Sequence, residues 1–448
     1  MKHRAKYFYR LPAALALALM VWGIAGPAAR AEAPRNIILM IGDGMGLESV
    51  WAAGAFQFGS AYHKFGGREK LSFEKLSGFA WVTTYPLNLS SSPTSDPRPL
   101  VSYDPTWTRG GKPGQLDYPR FGPELTFNLP LEGPGNGYGN GAGRKAYATD
   151  SGSAATSLAC GIKTFISAIG MDNFNRPCQS IVEKFHEKGK KAGIVTSVQF
   201  SHATPAAFGA HNVNRKNYFA IAEEMIRVVQ PEVVMGAGHP GFNGYGNPVT
   251  PNYYKYISDE DYRFITREGA SGGGPYTLVE KREDFLGLLE GIPPGRIFGL
   301  VQNASGLKEV SGQGPSDAAL TPSLREMTLG AVRVLSEEAP GFFLMVEGGA
   351  IDHGHHLNDL VLAIGETVRF QEAVQAVMDW IENPKNPRGG WDKNLLIVTA
   401  DHETGYLTGI APKGPGVIPR HAYNSGSTPT GWSGSGIRGP ERSSSRST

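Results

Sequence analysis

Cysteine is scarce in this chain of 448 residues, which holds only Cys160 and Cys178. Two isolated cysteines exclude a disulfide-dense scaffold and a zinc site built on paired cysteines. Export would permit a bond between them. Yet Cys160 falls in an apolar stretch behind Ser151, so a buried free thiol is the expectation there. Long hydrophobic runs are lacking beyond residue 31, where no stretch reaches the roughly 20 residues of a membrane-spanning helix. A strong charge of either sign is also missing, because the formal net charge is +2. Without residues 1–31 the count is 38 basic and 41 acidic residues. No basic patch of the kind that nucleic-acid binding needs remains, so no nucleic acid is expected as a partner. Internal repeats and heptads are absent, which excludes solenoids and coiled coils.

What is present begins with a leader pattern. Lys2, Arg4, Lys6 and Arg10 make a basic start, Leu11 to Ala25 is apolar, and Ala29-Arg-Ala31 fits a small-residue cleavage site. Residues 1–31 are therefore expected to be a signal peptide. The remainder is expected to be periplasmic or secreted, with no stable membrane association. An uncleaved anchor is the competing reading, and the short apolar run speaks against it. Residues 32–448 read as a single α/β domain. Alternating helical and strand-like segments imply a three-layer αβα sandwich around a large, mostly parallel sheet. Two stretches read as loop insertions at the surface, 86–146 (rich in Pro, Gly, Ser and Asn) and 236–275 (rich in Gly and Tyr).

The most informative stretch is Thr149-Asp-Ser-Gly-Ser-Ala-Ala-Thr156. Its small residues suit a turn that opens a helix. A serine at a helix start lies where free N–H groups and the helix dipole favour an anion, which suits a nucleophile that attacks phosphate. Alone, Asp or Ser before such a helix reads equally well as an N-cap.

Residues of metal-ligand type follow apolar runs at four other places. Asn36-Ile-Ile-Leu-Met-Ile-Gly-Asp43 reads as a buried strand with Asp43 at its carboxyl end. Phe342-Phe-Leu-Met-Val-Glu347 precedes Asp352 and His356, which are four apart and share a face if helical. Leu395-Leu-Ile-Val-Thr-Ala-Asp401-His402 puts a carboxylate and an imidazole at a third strand end. Gly193-Ile-Val-Thr-Ser-Val198 precedes His202 and Thr204, with Arg215 further on. Each piece alone also reads as a turn, cap or solvated loop. Together they point to one site, because active sites of open α/β sheets collect at the carboxyl ends of strands.

In the order and local spacing of these motifs, the chain from Asn36 to about Gly405 resembles the alkaline phosphatases. The resemblance implies hydrolysis of small phosphomonoesters through a covalent phosphoserine on Ser151. It implies two zinc ions and one magnesium. Asp43 would bridge one zinc and the magnesium, Asp401 and His402 would complete that zinc site, and Asp352 and His356 would belong to the other zinc. Thr204 and Glu347 would hold the magnesium with Asp43. Arg215 would clasp the phosphoryl oxygens, oriented by Asp150. His202 and His353 stand at positions that vary between branches of the family and would tune rate and pH optimum. A homodimer is implied as well. The chemistry agrees, since zinc accepts mixed Asp and His ligands whereas magnesium prefers oxygen. Two metals roughly 3.5–4 Å apart stabilise the attacking and leaving oxygens of an in-line displacement.

The family pattern asks for one more histidine after His402, in a Ser-Gly-x-His-Thr setting. His421 is the only later histidine, and Pro419-Arg-His-Ala-Tyr does not match. Tyr423-Asn-Ser-Gly-Ser427-Thr-Pro-Thr430 resembles the motif without its histidine. One inserted C turns AGC-ACA-CCA-AC into AGC-CAC-ACC-AAC, which reads Ser-His-Thr-Asn. A frame slip near Ser427 is thus expected, with 428–448 as an out-of-frame, low-complexity tail. The competing reading is a divergent natural tail, with His421 or water in the ligand position. Two other functions stay open: a phosphodiesterase or sulfatase of the same superfamily, and an impaired phosphate-binding relic.

Overall fold

Among the described residues, short, β-branched and apolar runs give seven strands: β1 (Asn36–Gly42), β2 (Lys191–Gln199), β3 (Val233–Ala237), β4 (Tyr276–Val279), β5 (Arg296–Leu300), β6 (Phe342–Gly348) and β7 (Asn394–Ala400). They come from a computed structural model that describes residues 33–62, 68–80, 84, 86–87, 91–94, 149–266, 276–291, 295–307, 321–337, 340–405 and 414–418. The leader (1–31), nearly all of the 86–146 insertion, His421 and the 428–448 tail lie outside the described residues. The strands form one sheet in the order β4-β5-β3-β2-β6-β1-β7, and every pairing is parallel. The expected α/β sandwich with a largely parallel sheet is therefore what the chain forms.

Helices lie between the strands: α1 (Leu47–Phe58), α2 (Ser151–Cys160), α3 (Ile181–Glu187), α4 (Ala203–Gly209), α5 (Tyr218–Glu224), α6 (Asp259–Thr266), α7 (Arg282–Glu290), α8 (Leu324–Leu335), α9 (Ala350–His356) and α10 (Leu360–Glu382). Strand side chains alternate between two cores. Ile38, Met40, Leu344 and Val346 join Met327 and Leu335 of α8 and Phe370, Val374 and Val377 of α10 on one face. Leu39, Ile41, Phe343 and Met345 join Ala155 and Ala159 of α2 and Ala206, Ala207 and Phe208 of α4 on the other. That alternation is the period of two of a strand with both faces covered. The small residues of α2 fit here because the helix packs closely on α4.

The 236–275 stretch is more than a loop. It contains α6, whose neighbour Ile257 and own Ile265 are buried. Arg227 Nε donates to Asp261 Oδ1 at 2.7 Å and ties that helix to the main body. Among the described residues β7 is an edge strand, and its Leu395 and Ile397 remain exposed.

Candidate metal centre beside a buried serine

The parallel register brings carboxylates together at one end of the sheet. Gly42 of β1 lies opposite Ala400 of β7, so Asp43 and Asp401 leave the sheet from adjacent positions. Glu347 lies opposite Ile41 on one side and Thr196 on the other. The Gly44 N–H donates to Asp401 Oδ1 at 3.0 Å and locks the two strand ends. Asp352, on the first turn of α9, closes over Gly44, where a Cβ would meet Asp352 Oδ1 at 2.8 Å. Gly44 also has φ +64°, so the position requires glycine twice over.

His402 joins this centre to the serine. Its Nε2 is 3.5 Å from Asp43 Oδ1, 3.3 Å from Asp401 Oδ2 and 3.2 Å from Ser151 Oγ. Thr404 Oγ1 bonds its Nδ1 at 3.1 Å and orients the ring. Donor atoms of Asp43, Asp352 and His402 all lie within 4.8 Å of one another. His356 Nε2 stands 3.3 Å from Asp352 Oδ2, with its side chain 70% exposed.

These residues fit divalent cations. Asp43 is 1% exposed, Glu347 0%, Asp401 2% and Asp352 4%. Asp43 Oδ1, Glu347 Oε1, Asp352 Oδ1, Asp401 Oδ2 and Thr204 Oγ1 are buried and have no hydrogen-bond partner among the described residues. A buried ion without compensation costs several kcal/mol. Burial, followed by the charges of Asp401, Asp352 and Glu347, pushes the Asp43 carboxyl well above its ordinary range. Burial, with the Asp401 charge, pushes Glu347 up to about 7 against the hydrogen bond from Thr196. Cations would cancel that repulsion and use the free lone pairs.

The serine half of the site is built on α2. Ser151 is its first residue and is buried, while Asp150 caps the helix. Asp150 accepts from the N–H groups of Gly152 and Ser153 at 3.2 Å each and of Ser167 at 3.0 Å. Its Oδ2 also accepts from Arg215 Nη1 at 3.0 Å. Cap and guanidinium holder are thus one residue. The Gly152 and Ser153 N–H groups are spent on Asp150, which leaves Arg215 as the cationic group on this side of the cluster. Burial opposes ionisation of Asp150, but Arg215, the Ser167 N–H and the Ser153 hydroxyl hold its carboxyl below the ordinary range. Arg215 Nη2 reaches His202 Nε2 at 3.5 Å, and the His202 and His353 rings meet edge-on at 5.7 Å. Burial, then the charges of Arg215 and His353, holds His202 well below the ordinary histidine range, so its ring stays neutral. The Asp43 charge also acts on Arg215, which puts the two halves within electrostatic reach.

Several contributors carry no mark in the sequence. Thr196 Oγ1 donates to Glu347 Oε2, and the Ser167 backbone serves Asp150. His355, between the two noted histidines, is buried against Ser49 Oγ at 2.8 Å, and burial lowers it to about 4. His211 anchors the loop that carries Arg215. Its Nδ1 pairs with Glu224 Oε1 at 2.8 Å and its Nε2 lies 3.5 Å from Glu183 Oε2. Burial works against its protonation, but the two carboxylates outweigh it and push the imidazole up to about 10. A raised folded-state value stabilises fully below the unfolded value of about 6.5 and is lost as pH rises through 10. His211→Gln is therefore expected to lose about 2 kcal/mol of unfolding free energy at pH 6. Denaturant unfolding across pH should show the deficit shrinking as pH rises from about 6.5 towards 10.

Fold and site together define an α/β protein with a metal-type donor cluster and a buried serine at the carboxyl edge of its sheet. The alkaline phosphatase family model matches residues 137–429, and the chain belongs to that family. Alkaline phosphatase 4 of Bacillus subtilis is 33% identical over 265 residues, which cover 58% of this chain and 50% of that protein. The repressible alkaline phosphatase of Saccharomyces cerevisiae is 33% identical over 277 residues, covering 58% of this chain and 46% of its own length. The chain thus spans about half the length of these curated relatives. A cold-active alkaline phosphatase of the psychrophile Shewanella sp. superposes with a TM-score of 0.53 at 25% identity, covering 83% of this chain and 69% of that one. Among the described residues, no helix is long and apolar enough to cross a membrane.

Proposed function

We propose that the chain hydrolyses phosphate monoesters and releases inorganic phosphate by way of a covalent phosphoserine on Ser151. The observation that carries this reading is the position of Ser151 Oγ, 3.2 Å from His402 Nε2 at the edge of the buried carboxylate cluster. Ser151 is the nucleophile, held at the first turn of α2 where the helix dipole favours a nearby negative charge. Arg215 grips two phosphoryl oxygens with its planar fork, which a lysine cannot reproduce. Asp150 uses one guanidinium edge to fix the other toward the substrate, and neutral His202 limits its swing. Asp43, Asp401 and His402 would hold one zinc, Asp352 and His356 the other, and Asp43, Thr204 and Glu347 a magnesium; bound there, the ions supply hydroxyl activation and charge stabilisation at the attacking and leaving oxygens.

Every group named here addresses the phosphoryl centre, so broad monoester specificity follows. Turnover of p-nitrophenyl phosphate, bis(p-nitrophenyl) phosphate and p-nitrophenyl sulfate by the zinc- and magnesium-loaded chain tests the reading. The monoester is expected to lead in kcat/KM by orders of magnitude. A lead for the diester or the sulfate would overturn it.

A further inference from the structure

The C-terminal end of α2 carries a second feature that hydrolysis does not use. Cys160 closes the helix, and the chain returns to it at Cys178 after a loop pinned by the Met171–Pro177 bridge and by the Cys178 N–H bond to Gly170 O at 2.8 Å. Cys160 Sγ donates to Cys178 O at 3.5 Å, which brings the two cysteines side by side. Both are free and half-buried, and Cys178 sits between exposed Pro177 and Gln179. Cys160 is thus less buried than its apolar sequence setting implies. His211 Nε2 bonds the same Cys178 carbonyl at 3.0 Å. Thiols and imidazole could suit a metal, but their donor atoms do not gather in one ion's reach as those of Asp43, Asp352 and His402 do.

The segment between the two cysteines holds both arms of the anion site. Its Ser167 N–H supports Asp150, and Ser167 O accepts from the Arg215 N–H at 2.9 Å. Thr156 Oγ1 of α2 donates to Ala168 O at 2.9 Å and accepts from the Gly170 N–H at 3.0 Å. A covalent link from Cys160 to Cys178 would close a loop around this whole junction.

We propose that Cys160 and Cys178 are a disulfide-forming pair that clamps the helix bearing Ser151 to the segment that positions Arg215. The oxidant is a small-molecule or protein disulfide. The Cys178 thiolate attacks one sulfur of that disulfide and expels a thiolate, leaving a mixed disulfide on Cys178. Cys160 gives up its proton, and its sulfur attacks the Cys178 sulfur and expels the second thiolate. One disulfide is reduced to two thiols as the two cysteines are oxidised to one bond. The order follows from the local electrostatics. The hydrogen bond from Cys160, joined by the charge of His211, draws the Cys178 thiol below its ordinary value, while its contact with Cys178 and burial hold Cys160 protonated.

The test uses the full chain and needs no turnover. Folded protein is incubated with oxidised glutathione, alkylated, and its thiols and cross-linked peptides are counted by mass spectrometry. The expected result is two thiols per chain before and none after, with a Cys160–Cys178 peptide. Reduction should then lower the Tm by about 5 °C, as the loop-closure effect of a bond of this span predicts. Cys178→Ser should match the reduced protein and show no response to reductant. Cys160→Ser should do the same, and Cys178→Ser alone suffices if the helix variant does not fold. Two thiols that persist in the oxidised protein, separate glutathione adducts on each cysteine, or a bond that leaves the Tm unmoved would each overturn the proposal.

Discussion

Ser151→Ala is expected to lower kcat for p-nitrophenyl phosphate by roughly 10⁴- to 10⁶-fold, the scale seen when a nucleophile is removed from an assembled site. Stability should hardly change. Among the described residues, the Ser151 hydroxyl hydrogen-bonds His402 Nε2 alone, and alanine is a good helix residue at that first turn. Loss of one hydrogen bond amounts to about 1 kcal/mol. The helix cap is Asp150, not Ser151, so α2 keeps its start. Steady-state kinetics beside a thermal melt separates the outcomes. Activity within tenfold of wild type would remove Ser151 from the mechanism, whereas a collapsed Tm would point to a packing role.

The second large effect is that of metal removal. Chelation is expected to abolish turnover, and it should also leave a protein that weakens as pH rises. The sign follows from the buried carboxyls. Glu347 lies at about 7 and Asp43 is well above its ordinary range, both through burial first and carboxylate repulsion second. In the unfolded chain both groups would ionise near 4. Between about pH 4 and 7 the folded metal-free protein therefore binds more protons than the unfolded one, so stability falls as pH rises. Binding only to the folded state reverses this, by about 2.7 kcal/mol at a free metal concentration of 100 times Kd. Urea titrations of the chelated protein at pH 5 and pH 8, with and without zinc, read both parts directly. Equal stability at the two pH values would show that the carboxylates are not packed against one another.

Much of this was legible from residue order. β1, β6 and β7 announce themselves as apolar runs, and each is followed or closed by a carboxylate, Asp43, Glu347 or Asp401. The four-residue spacing of Asp352 and His356 does fall on one helix, α9, where the two side chains meet. Register is what a single sequence withholds. Nothing local says that Gly42 pairs with Ala400 or that Thr196 faces Glu347, since those contacts join residues far apart in the chain. The same is true of Ser167, whose role is a backbone N–H that any residue could provide. For Asp150 the sequence offered an N-cap and, through the resemblance, a partner of Arg215 as separate readings. A cap and a guanidinium partner have the same sequence signature, and only the position of Arg215 shows that one carboxylate serves both. The cysteine pair was masked by composition, because an apolar helix argues for burial while the return of the chain at Cys178 leaves the thiols half-exposed.

The measurement that addresses the central claim most directly is an acid quench. The zinc- and magnesium-loaded chain is mixed with ³²P-labelled phosphomonoester, stopped in acid within the first turnover, digested and mapped. Label is predicted on the peptide that contains Ser151, and Ser151→Ala should carry none. Hydrolysis by the wild-type chain with no label on that peptide at any quench time would contradict the account.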